Sequence, residues 1–110
     1  MAEGKVLALQ GHRSAMKKRT LLEANIPITI INNSSVDLKD SEVTVKDDET
    51  STVRTAYFGY LIAHARETRT LSMPGYIEWC AYRITTVDGE VIAAAGLGSN
   101  APAVEITIRD

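Results

Sequence analysis

Downstream of Pro27 the apolar residues keep returning at every second position, a period that points to β-structure. In Glu42-Val43-Thr44-Val45-Lys46 the valines alternate with polar residues, and at the C-terminus Val104, Ile106 and Ile108 alternate with Glu105, Thr107 and Arg109. Successive side chains of a strand point to opposite faces, so each run predicts a half-buried strand. Pro27-Ile28-Thr29-Ile30-Ile31 adds a β-branched run that ends in the turn residues Asn32-Asn33-Ser34-Ser35. From Tyr76 a further strand is predicted, with Tyr76, Glu78, Cys80, Tyr82 and Ile84 on one side and Ile77, Trp79, Ala81 and Arg83 on the other. Asp88-Gly89 supplies the positive backbone angles of a tight hairpin, which returns the chain as Glu90-Val91-Ile92-Ala93.

Other stretches carry weaker signals. Residues 52–65 contain Tyr57-Phe58-Gly59-Tyr60-Leu61-Ile62-Ala63, where aromatic content and an internal glycine favour a strand and a helix over 56–66 is the alternative. Arg66-Glu67-Thr68-Arg69 reads as a polar connection, Met73-Pro74-Gly75 as a turn, and Gly96 to Pro102 as a loop. About seven short strands with no helix between them predict a mostly β, single-domain antiparallel β-sandwich or barrel over residues 26–110.

Residues 1–25 differ from this body. They carry five basic and two acidic side chains, a net of +3, which leaves −5 on the rest of a chain whose total is −2. Ser14 is placed to cap a short helix through Ala24, with Asn25-Ile26-Pro27 as its stop, so a basic N-terminal arm or short helix is expected here. Val6-Leu7-Ala8-Leu9 is too short for the apolar region of a secretory leader, and no run approaches the ~20 apolar residues of a membrane-spanning helix.

A chain of 110 residues with 45% hydrophobic and 24% charged residues has the composition of one globular domain and not of a disordered chain. Its one cysteine cannot form an internal disulfide. The total charge offers no general attraction to nucleic acid, and Lys17-Lys18-Arg19 alone makes only a weak, salt-sensitive contact, so nucleic acid is not an expected partner.

The residues that carry chemistry are sparse. His12, His64 and Cys80 do not supply the paired ligands of a zinc site. Cys80 lies mid-strand, where a buried thiol is expected, and His64 reads as a polar residue at a strand end. Asp37 to Glu42 and Asp47-Asp48-Glu49 are dense in carboxylates, but Lys39 and Lys46 interrupt them, so a solvated turn is expected and a weak divalent-cation site is the alternative. Gly96-Leu97-Gly98 lacks the third glycine of a dinucleotide loop. Asn32-Asn33-Ser34 and Asn33-Ser34-Ser35 both fit the glycosylation pattern, which acts only in a secretory compartment. No catalytic constellation or cofactor motif is visible.

The aromatic residues fall in two clusters, Tyr57, Phe58 and Tyr60, then Tyr76, Trp79 and Tyr82, with Arg54, Arg66, Arg69 and Arg83 in the same stretch. Packing across a sheet accounts for such clusters, and aromatic residues with arginine are also the composition of interaction surfaces. The apolar strand ending in Asn32-Asn33-Ser34-Ser35, the acidic segment after it and Pro74-Gly75 before a strand loosely resemble the aegerolysins over about half the chain. That resemblance implies a small β-sandwich acting at membrane surfaces. Trp79, the only tryptophan, departs from their tryptophan-rich character, and the family is not assigned.

Two functional expectations follow. The first is a non-enzymatic interaction module that forms a homo-oligomer through its N-terminal arm, including Lys17, Lys18 and Arg19, and through its sheet edges, which need a cover. The alternative is a carbohydrate- or lipid-headgroup-binding domain that uses Tyr60, Arg66 and Trp79.

Overall fold

The computed structural model describes residues 3–8 and 23–110, with backbone alone for 3–8 and Ser99. Eight strands follow one another: β1 (Glu3–Ala8), β2 (Ala24–Asn33), β3 (Leu38–Asp47), β4 (Val53–Phe58), β5 (Arg66–Met73), β6 (Ile77–Thr86), β7 (Val91–Ala101) and β8 (Val104–Arg109). They form two four-stranded sheets, β1-β8-β2-β5 and β4-β3-β6-β7, and each sheet has two ends, so no barrel closes among the described residues. No helix occurs among those residues, and none is long and apolar enough to cross a membrane. The helix expected from Ser14 to Ala24 lies outside them as far as residue 22; Glu23 precedes β2 and Ala24 opens it.

The protein is mostly β, as the alternations indicate, with three corrections. Arg66 to Arg69 are not a connection but the first half of β5, an edge strand pairing with β2 from Ala24↔Met73 to Ile31↔Arg66. Gly96 to Ala101 are not a loop but the second half of β7. The pairing is not wholly antiparallel, because β8 lies between β1 and β2 and runs parallel to β2, with Ile30 opposite Ile106. The segment 52–65 splits into β4 and a loop that bonds to Leu38 through Leu61.

One core joins the sheets. Ile26, Ile28, Ile30, Ile106 and Ile108 of the first and Val43, Val45, Cys80, Tyr82 and Ile84 of the second belong to one buried cluster. Each aliphatic side chain of this kind contributes about 1.5–3 kcal/mol when removed from water.

Two bulges set which residues reach the core. Asp40, at φ 45°, is the extra residue of β3 between the pairs Lys39↔Thr85 and Glu42↔Arg83, and it moves the buried set from Leu38 to Ser41, Val43 and Val45. Thr85 N–H donates to Ser41 Oγ at 3.3 Å and so keeps the bulge hydrogen-bonded. Glu78 is the extra residue of β6 against β3, between Lys46↔Trp79 and Asp47↔Ile77. Ile77 is thereby buried although strict alternation from Tyr82 would turn it outward.

Each sheet ends in a buried polar knot. Asn32, fully buried on β2, donates from Nδ2 to the carbonyls of Val36 (2.9 Å), Leu61 (3.2 Å) and Ile62 (3.1 Å). Its Oδ1 accepts from Ser34 Oγ at 2.7 Å, so this one amide joins the turn after β2 to the loop between β4 and β5. Asp47, fully buried on β3, accepts from the N–H groups of Glu49 (2.9 Å), Thr50 (3.0 Å) and Thr52 (2.6 Å) in the turn to β4. Burial raises the pKa of this carboxyl, but the hydrogen bonds outweigh it and hold the group below the ordinary aspartate value.

Candidate functional site

Register turns the second sheet into a map. The residues of β3 and β6 that do not enter the core lie on its outer face, and pairing carries three rows across it: Val53–Lys46–Trp79–Leu97, Thr55–Thr44–Ala81–Ala95 and Tyr57–Glu42–Arg83–Ala93. Thr85 and Val91 extend it at one end. Leu97 is 84% exposed, Tyr57 68% and Val53 55%, and Ala93 and Ala95 are exposed as well, whereas Trp79 is half-buried. Four of the seven exposed large hydrophobic residues among those described, Val53, Tyr57, Val91 and Leu97, therefore share this one face.

Charge on the face is confined to the two central strands. Lys46 Nζ lies 3.5 Å from Glu78. Glu42 and Arg83 face one another across β3 and β6, but no ion pair joins them within 4 Å. Thr44 and Thr55 join their hydroxyls at 2.9 Å.

The edge beside this face is unusual. β7 is the outermost strand, pairs with β6 alone among the described residues, and runs eleven residues from Val91 to Ala101 with no charged residue and no proline. Natural edge strands are commonly blunted by a charge, a proline or shortness, because the free N–H and C=O groups of an edge invite another strand. At the other edge a shallow depression of about 390 Å³ is lined by Asp40, Ser41, Glu42, Tyr57, Phe58 and Gly59.

The residues singled out in the sequence occupy separate places. Trp79 is on the outer face of the second sheet, facing Lys46 and Leu97. Arg66 is on the outer face of the first, 3.5 Å from Glu105. Tyr60 is in the loop after β4, where its hydroxyl donates to Asp37, which also accepts from Ala63 N–H at 2.8 Å. These bonds lower the Asp37 pKa, and the carboxylate raises that of Tyr60. The three do not form one surface. Lys17, Lys18 and Arg19 lie outside the described residues. Tyr57 and Arg83 belong to the aromatic and arginine stretch read from the sequence, Glu42 does not, and only the strand order brings the three into one row.

Reactive groups are dispersed too. Cys80 is buried, which pushes its thiol pKa up, and a thiol held protonated is a poor nucleophile. Tyr82 is 3% exposed and its hydroxyl has no hydrogen-bond partner; burial raises its pKa, with Cys80 adding to the effect. His64 is exposed at φ 66° in the loop after β4. Among the described residues no three His, Cys, Asp or Glu side chains converge to hold a metal ion. Of the two glycosylation sequons, Asn32 has its amide buried and hydrogen-bonded, and only Asn33 is exposed.

No family model matches the chain, and no curated protein sequence matches it. Among solved structures it is similar to the NMR structure of a protein from Eubacterium rectale, at 20% identity and a TM-score of 0.62, covering 77% of each chain. At that identity the likeness concerns the fold alone.

Proposed function

We propose that this chain is a non-enzymatic interaction module, two sheets packed as a sandwich, that assembles with copies of itself through the second sheet. The observation that carries the reading is the uncharged, eleven-residue edge strand β7 beside a face that exposes Val53, Tyr57, Val91 and Leu97. An apolar surface beside an edge strand that carries no charge and no proline is removed from water most simply by a second protein surface. On the first sheet, Glu3–Ala8, part of the basic N-terminal segment, pairs with β8 as one edge strand, and β5 carries mostly polar side chains at the other.

A second reading, recognition of a sugar or a lipid headgroup, draws on the same face. Trp79 and Tyr57 lie there among Glu42, Thr44, Lys46 and Arg83, and rings flanked by hydrogen-bonding groups suit a polar ring or a cationic headgroup. In this reading Tyr57 takes the place expected of Tyr60 and Arg66.

Sedimentation over a hundredfold concentration range, joined to amide hydrogen exchange, tests the assembly reading. A multiple of the 12.0 kDa chain mass, with slowed exchange in β6 and β7 at high concentration, is the expected result. A monomer throughout the range overturns it.

A further inference from the structure

We infer that the occupant of the outer face is the same face of a second copy, packed about a two-fold axis that runs along the strands between β3 and β6; this rests on the self-assembly reading and specifies its geometry. The argument is the pattern of the rows. A two-fold at that position exchanges β3 with the partner's β6 and β4 with the partner's β7 and leaves each row opposite itself. Glu42 then meets the partner's Arg83, and Arg83 meets the partner's Glu42. Tyr57 meets the partner's Ala93, Val53 the partner's Leu97, Thr55 the partner's Ala95 and Thr44 the partner's Ala81. Lys46, already beside Glu78, lies over the partner's Trp79, whose ring face attracts a cation.

Charge, size and polarity therefore match in one operation, as an isologous interface requires. The charge match decides it. Lys46 has a carboxylate in its own chain, whereas Glu42 and Arg83 are cross-strand neighbours that close no ion pair, and the two-fold gives each the opposite charge from across the interface. A two-fold across the strands would instead set Glu42 against a Lys46 that already has Glu78, and would leave Arg83 without a carboxylate.

The size is adequate. Strands of six, ten, ten and eleven residues set ~4.8 Å apart give roughly 600 Å² per copy before side-chain relief, near the ~800 Å² per partner of a standard interface. Stacked sheets usually cross at about 30°, so the match is closest at the centre, where Glu42, Thr44, Ala81 and Arg83 lie.

Charge reversal tests this directly. E42R and R83E each set like charges against one another at both symmetric contacts, and each is expected to weaken the dimer by roughly a hundredfold or more. An equimolar mixture of the two single variants restores both opposite-charge contacts between unlike chains, although each chain keeps its own like-charged neighbours. Sedimentation of the mixture is expected to give a dimer where either variant alone is a monomer. If either reversal unfolds the chain, E42C mixed with R83C under an added oxidant is expected to give a disulfide-linked heterodimer, with E42C alone giving none. Wild-type dimers that survive both reversals keep the assembly reading but overturn this geometry, with pairing of β7 edges as the remaining mode. Single variants that stay monomeric when mixed, or unlinked cysteine pairs, overturn it as well. A wild-type monomer removes the reading beneath it.

Discussion

The outer faces of the two sheets are made of strands of similar length on the same core, and they meet water differently. On the first sheet, Arg66 reaches Glu105 at 3.5 Å and Thr29 shares a hydrogen bond with Thr68 at 2.8 Å, so polar side chains are paired within the chain. On the second, alanines and threonines fill the middle, Val53, Tyr57, Val91 and Leu97 stand at the rim, and Glu42 and Arg83 do not close on one another. Both faces pair side chains within the chain, Lys46 with Glu78 and Thr44 with Thr55 on the second, but the second also leaves Glu42 and Arg83 unclosed beside exposed apolar side chains. A fold needs only the inward side chains of each sheet, so a difference of this size between the outward sides points to a contact outside the chain.

The comparison is broken most forcefully at the knots that hold each sheet to its loops. Asn32→Ala removes three side-chain bonds to the carbonyls of Val36, Leu61 and Ile62 and the Oδ1 acceptor of Ser34, although each carbonyl keeps one further donor. It is expected to cost about 3 kcal/mol, roughly 15 °C in Tm, with little dependence on pH between 4 and 8 because no charge is lost. Differential scanning calorimetry across that range checks both points.

Asp47, the corresponding knot of the second sheet, is charged, so its effect depends on pH. Its folded-state pKa lies below the unfolded value of about 3.9, so its contribution is present above that value and is lost as pH falls through the folded one. Asp47→Asn is expected to cost about 2 kcal/mol at neutral pH and to flatten the acid limb of the stability curve, as read by urea unfolding from pH 2 to 7. An acid limb identical to the wild type's would contradict the assignment.

The smallest test compares the two threonine pairs. Thr68→Ala strands the hydroxyl of Thr29, which is only 8% exposed, whereas Thr55→Ala leaves that of Thr44 half-open to water. The expected costs in denaturant unfolding at low concentration are about 1 kcal/mol for the first and about 0.5 kcal/mol for the second. Equal costs would mean that the two faces are hydrated alike.

Much of this architecture was legible in the chain because burial imposes a period of two. Ile28 and Ile30, Val43 and Val45, and the Asp88-Gly89 hairpin, with Gly89 at φ 94°, stand where the alternation and the turn chemistry place them. Strand β5 was hidden because its alternation is not one of hydropathy. It is an edge strand whose half-covered side carries Glu67, Arg69 and Leu71, with the Arg69 guanidinium 5.0 Å from the centre of the Phe58 ring. Gly98 misled in another way: a Cβ there would come within 2.8 Å of the Ile77 carbonyl, so this glycine marks the close approach of β7 to the irregular part of β6 and not a loop. The candidate face was beyond reach from sequence, since Tyr57, Glu42, Arg83 and Ala93 become neighbours only once the order β4-β3-β6-β7 is known.

The central claim is that the second sheet, and not the first, is the surface of assembly. Absolute mass by light scattering on matched lysine variants, Leu97→Lys on the outer face of the second sheet and Thr68→Lys on that of the first, tests it most directly. The account predicts a wild-type oligomer that Leu97→Lys reduces to the 12.0 kDa monomer while Thr68→Lys leaves it intact. An oligomer lost in Thr68→Lys and kept in Leu97→Lys would contradict it.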